Sequence, residues 1–180
     1  DGSQQPPCYD VGDLVFSPDG KRVAYAAQEQ KGGPWSIIVD GEKQQPYDTI
    51  GDGSLQFSPN SARLAYAAQK AGRWLAVVDG RPGDAHDRLA QMLFSPDSKR
   101  LACVVGDGQT EAVAVDGQIE RAFDAIGGGS LVFSPNGRSL GYIARSGRAR
   151  FVVIDALRKS RYTMVGYLTF SPDGRHHAYT

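Results

Sequence analysis

The sequence predicts an all-β protein assembled from repeated four-stranded antiparallel units, and three observations carry that expectation. The stretch Phe16-Ser17-Pro18-Asp19-Gly20 returns as Phe57-Ser58-Pro59-Asn60, Phe94-Ser95-Pro96-Asp97, Phe133-Ser134-Pro135-Asn136-Gly137 and Phe170-Ser171-Pro172-Asp173-Gly174, at steps of 41, 37, 39 and 37 residues. A second mark, Asp40-Gly41, returns as Asp79-Gly80 and Asp116-Gly117, with Asp155-Ala156 as its degenerate copy. Between the marks lie short β-branched and aromatic runs, and 22 glycines and 10 prolines supply the turns. A period of about 40 residues with four strands to the unit makes the expected fold a β-propeller of about five repeats, either a whole small ring or part of a larger propeller.

The first full unit shows how each strand is placed. Strand one covers residues 13–17, and strand two, residues 21–28, carries Val23, Ala24, Tyr25 and Ala26. Strand three covers residues 35–39, and strand four lies near residues 44–49 with Tyr47. Pro18 pre-sets φ for the second position of a tight turn, Asp19 tolerates the next, and Gly20 takes positive φ at little steric cost. Ser17-Pro18-Asp19-Gly20 therefore closes a hairpin between strands one and two, and Asp40-Gly41 closes one between strands three and four. Ala156, standing where the other copies have glycine, predicts a different or looser turn.

Spacings separate rigid parts from variable ones. The Phe and the end of strand two (Tyr25, Tyr66, Cys103, Tyr142, Tyr179) stand nine residues apart in all five copies. From there to the turn Asp the distance is 15, 13, 13 and 13 residues, and from that Asp to the next Phe it is 17, 15, 17 and 15. In an antiparallel blade the one–two and three–four turns share one face. The variation then falls on the opposite face, in the two–three loops and the blade-to-blade connections, where binding specificity tends to concentrate.

The repeat units are expected over residues 13–53, 54–90, 91–129 and 130–166 of a single domain spanning 1–180, with partial blades at 1–12 and 167–180. Asp1-Gly2 stands 15 residues before Phe16, as the turn Asp of a preceding blade would. The chain is thus expected to begin on a fourth strand and to finish on a second one. That pattern suits an excerpt of a larger propeller, or a small ring closed from both termini. An open array would leave its end blades exposed and invite homo-oligomerisation.

Twenty basic and twenty acidic side chains cancel, and neither sign forms a long block, which argues against nucleic acid or an anionic membrane as partner. No apolar run reaches the ~18 residues a membrane-spanning helix needs. The first seven residues lack the basic and apolar parts of a signal peptide; a mature exported chain would lack them too, so the compartment stays open. Cys8 and Cys103 fall in non-equivalent parts of different repeats, so no disulfide is expected, and neither has metal-ligand spacing. Cys103 takes the slot of Tyr25, Tyr66, Tyr142 and Tyr179 and reads as a small buried hydrophobe.

The unit just described, with Phe-Ser-Pro-Asp-Gly-Lys-Arg at residues 16–22, a second strand ending Ala24-Tyr25 and a third ending Val39-Asp40-Gly41, resembles the WD40-like (PD40) repeat of TolB-like β-propellers. The resemblance covers essentially the whole chain from Asp13 to Thr180. No Trp-Asp dipeptide ends the third strands and no Gly-His pair opens the units, which favours the TolB-like branch over typical WD40 units. The resemblance implies a bacterial propeller, exported or periplasmic, that binds other proteins. It equally implies the non-catalytic propeller that precedes prolyl-oligopeptidase-type hydrolases. No TolB binding residue carries over, because no matching site motif stands in this sequence.

Several short motifs invite a chemical reading. Gly137-Arg138-Ser139-Leu140-Gly141 has the form of a nucleophile elbow, which requires a strand-to-helix turn. Gly137 is the turn glycine equivalent to Gly20, and Ser139 is the equivalent of Arg22 on a strand, so no catalytic role is expected. Gly127-Gly128-Gly129, with its equivalents Gly51-Asp52-Gly53 and Gly12, precedes no helix and reads as a flexible connection between blades rather than a phosphate cradle. His176 and His177 are neighbours on a strand and point to opposite faces, so they do not bind one metal together. His86 takes the slot of Tyr47 and Phe123 and reads as a packed ring. The acidic clusters Asp48…Asp52 and Asp84…Asp87 lack a calcium-loop pattern and read as solvated loops. Trp35 and Trp74 stand five residues before the turn Asp, where Glu111 and Arg150 stand in later units; packing is favoured over an interface role.

The innermost strands begin with Asp13, Ser54, Gln91, Ser130 and Tyr167. In a closed ring these side chains lie near the mouth of a central channel on the variable face, and they are the candidate binding residues, with a plain solvated channel as the alternative. The expected function is a non-catalytic module that binds or scaffolds a protein or peptide, without cofactor or metal. The alternatives are the propeller segment of a larger prolyl-oligopeptidase-type hydrolase and a self-assembling structural repeat. Phe16, Phe57, Phe94, Phe133 and Phe170 are expected to be deep anchors of stacked blades.

Overall fold

A computed structural model describes residues 8–180, so the turn expected at Asp1-Gly2 lies outside the described residues. The chain divides into two compact units, residues 1–85 and 86–180. In the first, β1 (Asp10–Phe16), β2 (Val23–Gln28), β3 (Trp35–Val39) and β4 (Glu42–Lys43) form one blade in sequence order. The second blade splits its inner strand into β5 (Thr49–Ile50) and β6 (Gln56–Phe57), both paired with β7 (Leu64–Lys70), and continues with β8 (Arg73–Val78) and β9 (Arg81–His86). The third blade, β10 (Arg88–Phe94), β11 (Leu101–Asp107), β12 (Thr110–Val115) and β13 (Gln118–Ile119), repeats the first. In the fourth, β14 (Ala125–Ile126) and β15 (Val132–Phe133) both pair with β16 (Leu140–Ser146), followed by β17 (Ala149–Ile154) and β18 (Leu157–Tyr162). A last hairpin joins β19 (Leu168–Phe170) to β20 (His177–Tyr179). The described residues contain no helix, so the all-β expectation holds.

The second strand of each blade is buried on both faces, which is why it reads as a run of small and apolar residues. Alternate side chains serve opposite faces. In the first unit Ala24, Ala26, Ile37 and Val39 pack onto Ile50, Leu55, Phe57, Leu64 and Tyr66 of the next blade, while Tyr25, Ala27 and Ile38 occupy the other side of β2 and β3. In the second unit Ala102, Val104 and Val113 meet Leu131, Phe133, Leu140 and Tyr142 in the same way. Tyr142 also donates its hydroxyl to Glu120 at 2.7 Å, and burial together with that carboxylate pushes the hydroxyl far above the ordinary tyrosine range.

One hydrogen-bond node explains why Phe-Ser-Pro-Asx is repeated. The Ser17 hydroxyl donates to Asp19 (2.6 Å) and accepts the Arg22 N–H (2.9 Å), while Asp19 accepts the Lys21 N–H (3.2 Å). Ser58 with Asn60, Ser95 with Asp97, Ser134 with Asn136 and Ser171 with Asp173 build the same node. The turn closes with Gly20 N–H on Ser17 C=O at 2.8 Å. Its last residue has positive φ whether it is Gly20 (70°), Ser61 (66°), Ser98 (63°) or Gly137 (70°). The second mark acts across the blade, between the turn after strand three and the start of strand two. Asp40, Asp79, Asp116 and Asp155 each accept the N–H of the first residue of the blade's second strand, or its equivalent, at 2.9 Å.

Four expectations are corrected. The fourth strand of the first blade starts at Glu42, directly after the Asp40-Gly41 turn, and Tyr47 makes only an isolated bridge to Trp35. Asp155-Ala156 does not loosen its turn. Asp155 (φ 49°) and Ala156 (φ 62°) take the same left-handed pair as Asp40 (φ 52°) and Gly41 (φ 88°), held by the Asp155–Leu140 bond. Gly127-Gly128-Gly129 does not connect blades but interrupts an inner strand. Gly127 N–H reaches Ile143 C=O at 2.8 Å, and the Ser130 hydroxyl accepts the Ile143 N–H at 3.1 Å in place of a backbone partner. Finally, Asp84 lies in β9 rather than in a loop, while Asp48 and Asp87 are exposed as expected and also cap turns, accepting the N–H of Ala71 (2.7 Å) and Gly108 (2.8 Å).

The anchors differ as well. Phe57, Phe94 and Phe133 are buried, Phe170 is half-buried, and Phe16 is 66% exposed. Arg22 of the preceding blade covers Phe57 and Arg100 covers Phe133. Ser139 stands where such an arginine would cover Phe170, and no described blade precedes Phe16.

Candidate functional site

Within each unit, the start of the third strand meets an inner loop. In the first blade the Trp35 N–H and C=O both bond Tyr47 at 2.8 Å. Its ring lies so close to Gly12 that a Cβ there would meet it at 3.5 Å. The cavity left beside Trp35 is only about 90 Å³. Trp74 packs against Gly51 in the same manner. Both tryptophans are thus packing residues, as the sequence indicated.

The second unit keeps the backbone pair in its third blade, where the Glu111 N–H and C=O both bond Phe123 at 2.8 Å, but carries no indole there. Glu111 accepts the Ile126 N–H at 2.6 Å and pairs with the Arg88 guanidinium. Arg150 takes the tryptophan position in the fourth blade and extends to the Val165 C=O at 3.4 Å. An arginine side chain is slimmer than an indole, and open space lies beside it between the inner loop of the fourth blade and the start of the last hairpin. The cavity here is about 640 Å³, lined by Gly127, Gly128, Gly129, Ser130, Arg145, Arg150, Val165 and Tyr167 among others. Tyr167 is 86% exposed.

Charge is concentrated on the same blade. Residues 125–162 carry Arg138, Arg145, Arg148, Arg150, Arg158, Lys159 and Arg161 against the lone acid Asp155, a net charge of +6 in a chain that is neutral as a whole. Arg158, Lys159 and Arg161 are exposed on the outer strand β18, and Arg158 also stacks on Phe151 at 4.7 Å. Composition alone hid this, because the acids of the other blades offset it.

The five residues expected at a channel mouth fall into two groups. In the first unit Asp13 accepts the Gly53 N–H (2.5 Å), and the Ser54 hydroxyl donates to Gly51 C=O (2.6 Å). In the second, the Gln91 side chain pairs with Leu131 like a strand segment, donating to its C=O (2.9 Å) and accepting its N–H (3.3 Å). Ser130 and Tyr167 line the large cavity together. Arg150 was seen in the sequence only as the residue where tryptophan was missing.

Other candidates have structural roles. Ser139 sits in the hairpin before β16, with its N–H on the Ser134 hydroxyl at 2.9 Å. His86 is buried, with Nδ1 at 2.7 Å from Asp107. His177 stacks on Tyr179 and contacts Phe170. Both cysteines are free, and burial pushes the Cys103 thiol up to about 12. Among the described residues no three His, Cys, Asp or Glu side chains converge as a metal site.

No family model matches the sequence, and no curated protein matches it. Solved structures do. TolB from Acinetobacter baumannii is similar over 92% of this chain and 47% of its own, at 17% identity and a TM-score of 0.53. A eukaryotic initiation factor matches over 91% and 46%, at 18% identity and a TM-score of 0.58. The β-propeller domain of the Trilobed protease from Pyrococcus furiosus matches over 83% and 57%, at 13% identity and a TM-score of 0.55. The fold is a β-propeller. It is the TolB-like fold that the repeat resembles, and the propeller blades described here span about half the length of the TolB and initiation-factor chains. At these identities the likeness concerns the fold alone.

Proposed function

We propose that this propeller chain is a non-catalytic binding module that takes a segment of a partner protein in the cavity beside Arg150. One observation carries the reading. Where two other blades place a tryptophan over the inner loop, the fourth places Arg150 and leaves about 640 Å³ bordered by the exposed Tyr167. A concave site with an aromatic rim and few polar groups is the usual form of a recognition site. The loop face on which it lies is also the face whose lengths vary between repeats.

A peptide-display selection against the immobilised chain tests it. Enriched sequences should bind the native chain and lose binding to Arg150→Trp, which restores the packing residue of the first two blades. Enrichment that Arg150→Trp leaves intact would overturn the assignment of the site.

A second reading has a specific observation in its favour, the likeness to a protease propeller domain. In that reading the same cavity receives a segment on its way to a hydrolase domain elsewhere in the protein. The gene sequence on either side of these 180 residues discriminates, since a hydrolase domain brings its own serine, aspartate and histidine.

A further inference from the structure

The third-blade junction holds a carboxylate in a defined way, and the fourth-blade junction has the groups to hold another. Glu111 lies between two partners, the Arg88 guanidinium and the Ile126 N–H at 2.6 Å. Ile126 immediately precedes the inner-loop glycine, Gly127, and Val165 immediately precedes the corresponding Gly166. Ile126 and Val165 are both buried, Val165 at 2% exposure. The carboxylate itself is what differs, for the residue at the Glu111 position is Arg150. Arg150 reaches the Val165 C=O at 3.4 Å, and the Val165 N–H has no acceptor among the described residues. A buried amide calls for an acceptor, and a guanidinium next to it favours an anionic one.

We infer that this cavity binds an acidic segment of the partner protein, one carboxylate side chain sitting between the Arg150 guanidinium and the Val165 N–H. The inference rests on the binding-module reading above and names the chemistry of its ligand. Arg145 lines the same cavity, and the net charge of +6 on residues 125–162 attracts a segment with several acids rather than one. Exposed Arg158, Lys159 and Arg161 on β18 add to that attraction without touching the bound carboxylate. The exposed Tyr167 ring offers a flat apolar rim for the intervening residues.

The test is fluorescence anisotropy with a labelled, C-terminally amidated peptide alternating glutamate and alanine. Its glutamine counterpart, the glutamine peptide with a free C-terminus and an oligothymidylate serve as comparisons. The expected result is binding of the glutamate peptide, weakened at least about tenfold by glutamine substitution or by Arg150→Gln. The triple variant Arg158→Gln/Lys159→Gln/Arg161→Gln should weaken binding while leaving it dependent on Arg150. Thermal melts confirm that each variant is folded.

Failure to bind the glutamate peptide overturns the inference, as does equal binding of the glutamine peptide or indifference to Arg150→Gln. Equal binding of the free-C-terminus glutamine peptide assigns the site to a terminal carboxylate and overturns the side-chain assignment. Oligothymidylate competing as well as the glutamate peptide overturns it in favour of a nucleic acid. The display selection separates the two levels. Neutral peptides lost on Arg150→Trp would leave the binding module standing and remove only its acidic ligand.

Discussion

The guanidinium of Arg100 lies 4.9 Å over the ring of Phe133, one blade further along the chain, and its Nη2 donates at 2.9 Å to the carbonyls of both Gly137 and Arg138. Arg22 repeats the arrangement on Phe57 at 5.1 Å, with Ser61 and Ala62 as acceptors. The arginine just before strand two therefore joins neighbouring blades through a cation–π contact and the turn of the next Phe-Ser-Pro-Asx motif. Local hairpin and inter-blade packing are held by the same few residues.

Arg100→Ala removes the ring contact and two carbonyl bonds at once, so stability should fall by about 2 kcal/mol. Arg100→Lys should recover only part of it, because an ammonium lacks the planar fork. Urea denaturation measures both, and a loss below experimental error for the alanine variant would contradict the clamp.

Phe94 and Phe16 occupy the same repeat position with opposite surroundings, buried against 66% exposed. Phe94→Ala should cost about 3–5 kcal/mol, whereas Phe16→Ala should stay within about 0.5 kcal/mol. Equal losses in the two melts would contradict these placements.

Ala156 is held at φ 62° by a turn in which three other blades place glycine. A Cβ in the left-handed region costs about 1–2 kcal/mol, part of which the greater freedom of glycine in the unfolded chain offsets. Ala156→Gly should raise stability by about 0.5–1 kcal/mol and with it Tm. A lower Tm would show that the turn is not strained there.

Asp19, Asp97 and Asp173 have pKa values held below the ordinary carboxylate value of 3.8, first by the serine hydroxyl two residues earlier and then by a backbone N–H. A carboxylate depressed in the folded state stabilises the fold fully above its unfolded pKa, and the contribution is lost as pH falls through the lower folded value. Stability should therefore decline as pH drops below about 4. Replacing all three with asparagine, which the second and fourth blades already use at Asn60 and Asn136, should make that decline shallower. An unchanged acid limb in a denaturation series would remove these aspartates from the account.

The sequence by itself determined the repeat, the strand order within a blade and the two turns. These depend on residues of one unit, two to five apart where Ser17 meets Asp19 and Arg22, and 15 to 17 apart where the turn Asp meets the start of strand two. Spacing that short is written directly in the chain, so Trp35 and Cys103 could also be read correctly as packed residues. Only the tertiary structure decided what depends on partners about one repeat away, such as Arg22 with Ser61 and Gln91 with Leu131, 39 and 40 residues on. Phe16 and Phe57 both open a Phe-Ser-Pro-Asx turn, but only Phe57 has a described arginine above it. For the same reason Arg150 reads in the sequence as one more substitution. It lines a cavity, and a cavity is a property of what neighbouring strands fail to fill.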